Sequence, residues 1–425
     1  MESAQLEQGD QGLMRVLWVK ANKILPVHSG GDIRSLNLAR QLAIHDELIF
    51  FSYYDGPVDT QYQNLLQKEL PGAVAVCTEK IDGSVLARAV DYVLRLPGAN
   101  PYAVSRFASA RVRRQLHDCI QHRSPDVIVC DFLDAAVNFP ASLDIPVVLF
   151  QHNVESEIWR RHAETCQGLG RKQIYQLEFA KMLRYEQETV RKFDHVIAVS
   201  EHDRSLMSAW IDAARITVVP TGVDLAQFKP NQVTPASKPL VIFVGAMDWE
   251  PNVDGAEYFC SEIWPKVRAQ VPEARFRLVG RNPDRRVQAL ASDSIEVTGS
   301  VPSVVKHLAE AAVVVVPLRI GGGTRLKIYE AMAAGRAVVS TTIGAEGLDV
   351  THGADIWLAD EADAFATALV RLLQDRNARQ NLETAATASA AQHDWSSVGT
   401  KFRQVLLSTA RLAQGESVRE MATAG

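Results

Sequence analysis

This chain has little of what several kinds of functional site require. Five of its 425 residues are cysteine (Cys77, Cys119, Cys130, Cys166 and Cys260), and no pair has metal-ligand spacing. That excludes a disulfide framework or a zinc ribbon, and the odd count suits a reducing compartment. No apolar run approaches the roughly 20 residues needed to span a bilayer. The opening dozen residues are polar and acidic, unlike a signal peptide. A soluble cytoplasmic protein is therefore expected. Charge of one sign is scarce too: 45 Lys and Arg against 50 Asp and Glu leave a net charge of -5. Such a balance argues against a nucleic-acid partner. No Gly-x-Ser-x-Gly elbow, Walker loop or Gly-x-Gly-x-x-Gly fingerprint stands where it should, and residues 22–29 do not form a dinucleotide turn.

Composition is otherwise ordinary for a globular protein, 47% hydrophobic and 22% charged. Continuous apolar runs recur at 16–19, 48–51, 127–130, 147–150, 196–199 and 216–219, then at 240–244, 276–279, 295–297, 313–316 and 337–339. Most do not alternate polar with apolar, so both faces of each strand should be covered, as in parallel sheets between helices. Strand–helix alternation over this length predicts doubly wound α/β architecture. Residues 228–239 hold three prolines and no periodicity, which reads as a linker. The expected units are an N-terminal domain over 1–228 and a second over 229–394. A helix packing back on the first domain and a loose tail would fill 395–425.

The most informative stretch is 313–335. It reads as a buried strand, the loop Gly321-Gly322-Gly323-Thr324, a short helix and a stop at Gly335. A glycine loop opening a helix can cradle an anion, because bare N–H groups and the helix dipole point at it. Arg325 and Lys327 sit in the first turn, where cations oppose the dipole and need another reason to be present. A bound phosphate supplies one. Glu330 lies on the same face as Lys327 and suits a ribose hydroxyl. The same residues could instead make a tight turn with an exposed ion pair.

Other candidates follow strand ends. His152 comes just after the 147–150 strand, facing a cleft or hydrogen-bonded in a loop. Asp131 follows 127–130 and either meets an acceptor or caps the next helix, with the cap slightly favoured. Arg106, Arg111, Arg113, Arg114, His117 and Arg123 make the helix around 105–122 basic and amphipathic. Such a helix can lie on an anionic membrane or simply be solvated.

Together these motifs resemble family-4 retaining glycosyltransferases, glycosyl transferases group 1, which have the GT-B fold: two doubly wound Rossmann-like domains facing across a cleft. The stretch from Gly321 to Gly335 is similar to their donor motif, and Gly30-Gly31 to their N-terminal glycine loop. Val199-Ser200-Glu201 and Val218-Val219-Pro220-Thr221-Gly222-Val223-Asp224 resemble the run closing the first domain, with Thr221 where asparagine is usual. Phe243-Val244-Gly245 resembles the first strand of the second domain, and Thr298-Gly299-Ser300-Val301-Pro302 the loop that meets the base.

The resemblance implies glycosyl transfer from a nucleotide sugar to an acceptor glycan, lipid carrier or small molecule. Configuration would be retained and no metal needed, and peripheral membrane contact is an option. His152, Arg325 and Lys327 would be catalytic. Gly30, Gly31, Trp249, Asn252, Val301, Gly321, Gly322, Gly323, Thr324 and Glu330 would bind the donor. Two departures stand out. Gly322 replaces the first glutamate of the family's paired-glutamate motif, and residues 246–252 lack the usual cations, for which Arg325 and Lys327 look like relocated substitutes. The missing glutamate leaves open a second reading, a non-catalytic GT-B nucleotide-binding scaffold or partner subunit.

Overall fold

The structure, a computed structural model, describes residues 12–27, 29–78, 85–165, 168–230, 238–320 and 325–413. Seven strands form the first sheet: β1 (Arg15–Ala21), β2 (Glu47–Tyr54), β3 (Val74–Cys77), β4 (Val127–Asp131), β5 (Val147–Phe150), β6 (His195–Ala198) and β7 (Ile216–Val218). Six form the second: β8 (Leu240–Val244), β9 (Arg275–Val279), β10 (Ile295–Val297), β11 (Val313–Val316), β12 (Ala337–Ser340) and β13 (Trp357–Leu358). The orders are β3-β2-β1-β4-β5-β6-β7 and β10-β9-β8-β11-β12-β13, with every pair parallel.

In each sheet the first strand lies in the interior, and chain order reverses beside it. That switch point opens a crevice at the carboxyl ends of the strands. Central strands are wholly covered; Val313, Val314, Val315 and Val316 all have zero exposure. This explains their unbroken apolar runs. Short edge strands behave otherwise: both residues of β13 are half-buried and left no clear signal in the sequence.

The helix Gly30–His45 begins sharply because the Ser29 side chain accepts from the Asp32 N–H at 3.1 Å. Gly335, at φ +71°, ends the helix Leu326–Ala333. The basic helix spans Ala110–Arg123, and its apolar residues Val112, Leu116 and Ile120 are buried in the first core. Its apolar face is therefore spent inward, and Arg113, Arg114, His117 and Arg123 are exposed on the outer side. Among the described residues no helix is long and apolar enough to cross a membrane.

The helix Trp395–Ala413 follows the second sheet in sequence but packs on the first domain. A Cβ on Gly399 would lie 2.5 Å from Gln41 Cβ, so the backbone there runs against the Gly30–His45 helix. Phe402 stacks on Trp18 at 5.4 Å. Arg403 forks onto Asp46 at 2.7 and 2.8 Å, and Asp46 also accepts from the Met14 N–H. Asp46 is fully buried in this pair. Removing one partner strands the other charge, so Arg403→Ala should cost about 3 kcal/mol. A denaturant midpoint equal to the parent's would contradict that anchoring role.

Candidate active site

The first domain places a charged network at the carboxyl ends of β1, β4 and β5. Asp131, the last residue of β4, has zero exposure. Its Oδ2 accepts from Trp18 Nε1 at 2.9 Å and lies 3.4 Å from Lys20 Nζ; its Oδ1 accepts from His152 Nε2 at 2.7 Å. Burial alone would raise the Asp131 pKa, yet Lys20 and the His152 hydrogen bond hold it well below the usual carboxylate range. Asp131 is thus no helix cap, the role slightly favoured from sequence. The chain after it turns through Phe132 at φ +69° into a short 3-10 helix, Ala135–Asn138, which Asp131 does not cap.

His152 is 2% exposed and stacks on Phe132, ring centroids 3.6 Å apart. Its Nδ1 faces Arg34 Nη1 at 3.1 Å. A guanidinium only donates, so Nδ1 accepts and the proton resides on Nε2, directed at Asp131. Burial lowers the His152 pKa to about 3; the Asp131 hydrogen bond opposes this, while Arg34 and Lys20 add to it. The ring is neutral, fixed and hydrogen-bonded at both nitrogens. Arg34 is itself buried and also reaches Thr221 Oγ1 at 3.4 Å. Gly31 completes the arrangement, since a Cβ there would lie 2.5 Å from the Phe132 ring.

The second domain answers with cations at the start of the Leu326–Ala333 helix. Lys327 Nζ donates to Asn252 Oδ1 at 2.9 Å, and Asn252 Nδ2 donates to the Ala246 carbonyl at 2.9 Å. A Cβ on Gly245 would lie 2.8 Å from Lys327 Nζ. The ammonium therefore sits at the end of β8, beside the loop that carries no cation of its own. Burial lowers the Lys327 pKa to about 7, Arg325 adds to that and Glu330 opposes it. Glu330 is pushed up to about 7 by burial, against Lys327. Among the described residues the Glu330 carboxylate has no hydrogen bond or ion pair, and Lys327 is held by Asn252 instead. The exposed-ion-pair alternative for these two residues does not hold.

Arg325 is buried, lies 5.5 Å from the Trp249 ring and is lowered to about 10 by burial. Trp249 keeps 42% exposure at the start of the Glu250–Tyr258 helix. Val301 is half-buried on the loop after β10, the edge strand two places from β8. Gly321, Gly322, Gly323 and Thr324 lie outside the described residues. The two halves meet where a Cβ on Gly30 would lie 3.2 Å from Leu326 Cδ1. Lys20, Arg34 and the pair of Arg161 with Glu346, which joins the two domains at 2.8 Å, were not anticipated. Lys20 closes an apolar strand run and Arg34 follows the paired glycines, which are weak signals; Arg161 and Glu346 left none. Among the described residues no group of three or more His, Cys, Asp or Glu side chains could hold a metal ion.

Comparison with known proteins places this arrangement. Residues 238–375 match the family described as Glycosyl transferases group 1, and residues 64–227 match Glycosyltransferase Family 4. Phosphatidyl-myo-inositol mannosyltransferase of Mycolicibacterium smegmatis is 29% identical over 197 residues, 44% of this chain and 50% of that one. A putative colanic acid biosynthesis glycosyltransferase of Salmonella typhimurium is 29% identical over 225 residues, 48% of this chain and 54% of that one. The chain thus spans about half the length of these curated relatives. Among solved structures, sucrose-phosphate synthase from Thermosynechococcus elongatus superposes with a TM-score of 0.67 at 17% identity, covering 95% of this chain and 99% of that one. Anabaena HepE in complex with UDP and glucose gives 0.64 at 16% identity, covering 92% and 99%. With the motifs, the two parallel-sheet domains and these matches in agreement, the chain belongs to the family-4, group 1 glycosyltransferases of GT-B fold.

Proposed function

We propose that the chain transfers a sugar, a hexose by the names of its relatives, from a nucleotide-sugar donor with retention of anomeric configuration. The acceptor is a glycan, a lipid carrier or a small molecule. One observation carries the reading: Lys327 and Arg325 are buried cations at the mouth of a helix, and Glu330 stands three residues on with its carboxylate unengaged among the described residues. Lys327 has a neutral amide oxygen as its hydrogen-bond partner, and burying its ammonium is costly unless a negative partner arrives.

The diphosphate of the donor is that partner, and the ribose hydroxyls complete Glu330. As the bond from the anomeric carbon to the diphosphate oxygen breaks, negative charge grows on the leaving group. Lys327 and Arg325 are already oriented to receive it, so little reorganisation is needed at that moment. The acceptor oxygen bonds to the anomeric carbon on the face the diphosphate leaves, and its proton passes to the departing phosphate. His152 is not the base here: its Nδ1 takes an Arg34 hydrogen bond and its charged form is strongly disfavoured. It is a fixed support behind the cleft, held between Phe132 and Phe150 and bonded to Asp131. Domain closure over this site keeps water from the donor.

Thermal stability should be compared with UDP, GDP, ADP and dTDP. A ligand at 100 times its dissociation constant adds about 2.7 kcal/mol. At least one nucleoside diphosphate should raise the melting temperature; none doing so would contradict the proposal. Glu330→Ala removes a charged hydrogen-bond acceptor worth about 1.5–3 kcal/mol, so binding should weaken by about tenfold or more. Lys327→Ala should lower turnover more than binding. Parent-like behaviour in both variants would refute the site assignment.

Binding should also take up protons. Lys327, with a pKa of about 7, is mostly neutral at pH 8 in the free chain. A diphosphate beside it favours the ammonium and raises that pKa, so close to one proton should enter on binding at pH 8. At pH 6, where Lys327 is already charged, its uptake disappears. Calorimetry in two buffers of different ionisation heat reads this, and Lys327→Met should abolish the uptake at pH 8. Equal heats for the parent in both buffers would contradict the assignment.

A further inference from the structure

Neutral groups of other elements receive the Lys327 ammonium. Its Nζ leaves the first turn of the helix Leu326–Ala333 and lies 4.8 Å from the centroid of the Phe243 ring, on β8. Asn252 Oδ1 accepts from it at 2.9 Å. Asn252 is buried and belongs to the first turn of the helix Glu250–Tyr258, just beyond the loop after β8. Its amide cannot turn over: Nδ2 donates to the Ala246 carbonyl at 2.9 Å, and a carbonyl only accepts. Both ends of the amide are thus engaged within the protein. Gly245 keeps the space open, since a Cβ there would lie 2.7 Å from Asn252 Nδ2 and 2.8 Å from Lys327 Nζ.

A buried ammonium ordinarily meets a carboxylate. Asparagine has nearly the shape of aspartate without its charge, so this hydrogen bond fixes the ammonium and does not neutralise it. Segment 246–252 holds two carboxylates and no cation. Both carboxylates are turned elsewhere: Asp248 accepts from Asn282 at 3.2 Å, and Glu250 pairs with Arg286 at 2.5 Å.

We infer that Asn252 is a positioning residue, which brings the Lys327 ammonium to the end of β8 and leaves its charge uncompensated for a diphosphate to meet. The inference rests on the donor-site reading above. Asn252 acts through Lys327 and does not itself touch the donor. The cation can then come from either position, because a lysine at 252 is long enough to place its own ammonium where that of Lys327 lies.

Inorganic pyrophosphate, which needs no knowledge of the sugar or base, is the probe. It is titrated by calorimetry into the full chain at pH 6, below the Lys327 pKa of about 7. The parent should bind. Lys327→Asn should bind about tenfold more weakly or worse, for the loss of a charged hydrogen bond. Asn252→Asp keeps the shape and the hydrogen bond, yet should also lose about tenfold, because its carboxylate neutralises the ammonium and repels the anion. Exchanging the two residues, Asn252→Lys with Lys327→Asn, should recover most of the Lys327→Asn loss, which a merely structural asparagine would not allow. Gly245→Ala, whose methyl displaces amide and ammonium together, should weaken binding, and it serves if the exchange variant does not fold. At pH 8 Asn252→Asp should lose the parent's proton uptake, since the new carboxylate raises the Lys327 pKa and the ammonium is already formed. Arg325 and Glu330, the other charged groups that bear on Lys327, are unchanged in that variant. If Asn252→Asp or Gly245→Ala binds as tightly as the parent, or the folded exchange variant as weakly as Lys327→Asn, the positioning role is wrong and the donor site stands. If the parent binds neither pyrophosphate nor any nucleoside diphosphate, the donor-site reading falls and this inference with it.

Discussion

A carboxylate with no exposure to water must be surrounded by donors and cations, and Asp131 imposes that requirement on the whole first domain. An unpaired buried charge costs several kcal/mol. Trp18 and Lys20 from β1 and His152 from beyond β5 all converge on it. Lys20 in turn lies near Ser35 and Asp32 of the Gly30–His45 helix. Satisfying one charge therefore fixes three strands and a helix relative to one another. It also fixes the His152 ring, its tautomer and the Phe132 stack beneath it. The rigidity of that cleft wall follows from electrostatics more than from shape.

The second domain solves the converse problem. Lys327 is carried on a helix yet delivers its ammonium to the end of β8, with Asn252 as intermediary. Small residues make this possible: Gly245 leaves room for the ammonium, and Gly30 lets the two helices approach across the cleft. Asn252 offers Lys327 a neutral oxygen rather than a counter-charge. The Asp131 network of the first domain is thus internally paired, while the Lys327 ammonium of the second is suited to an incoming anion.

The sequence revealed the architecture well, because central strands buried on both faces cannot help being continuous apolar runs. It revealed the glycine-loop helix through a local oddity, two cations where the helix dipole disfavours them. It misled at Asp131, because a carboxylate after a strand caps a helix as readily as it anchors a network; only the fold brings Trp18 and His152 to it. Arg34 stood close to the paired glycines and gave no sign of its His152 contact, which depends on a 118-residue separation being closed. Arg161 and Glu346 were invisible for the same reason. Pairs between domains leave no periodicity and no spacing. The edge strand β13 escaped notice because two half-buried residues carry no pattern, and β3 escaped it although Val74-Ala75-Val76-Cys77 is as apolar as the central runs.

The central claim is that a nucleoside diphosphate sits against the Leu326–Ala333 helix with its ribose on Glu330 and its phosphates on Lys327 and Arg325. The most direct measurement is a crystal structure of the full chain with the nucleoside diphosphate that stabilises it most. The account predicts ribose hydroxyls within hydrogen-bond distance of the Glu330 carboxylate, and phosphate oxygens at Lys327 Nζ. Nucleotide bound elsewhere, or phosphates that leave Lys327 on Asn252 alone, would contradict it.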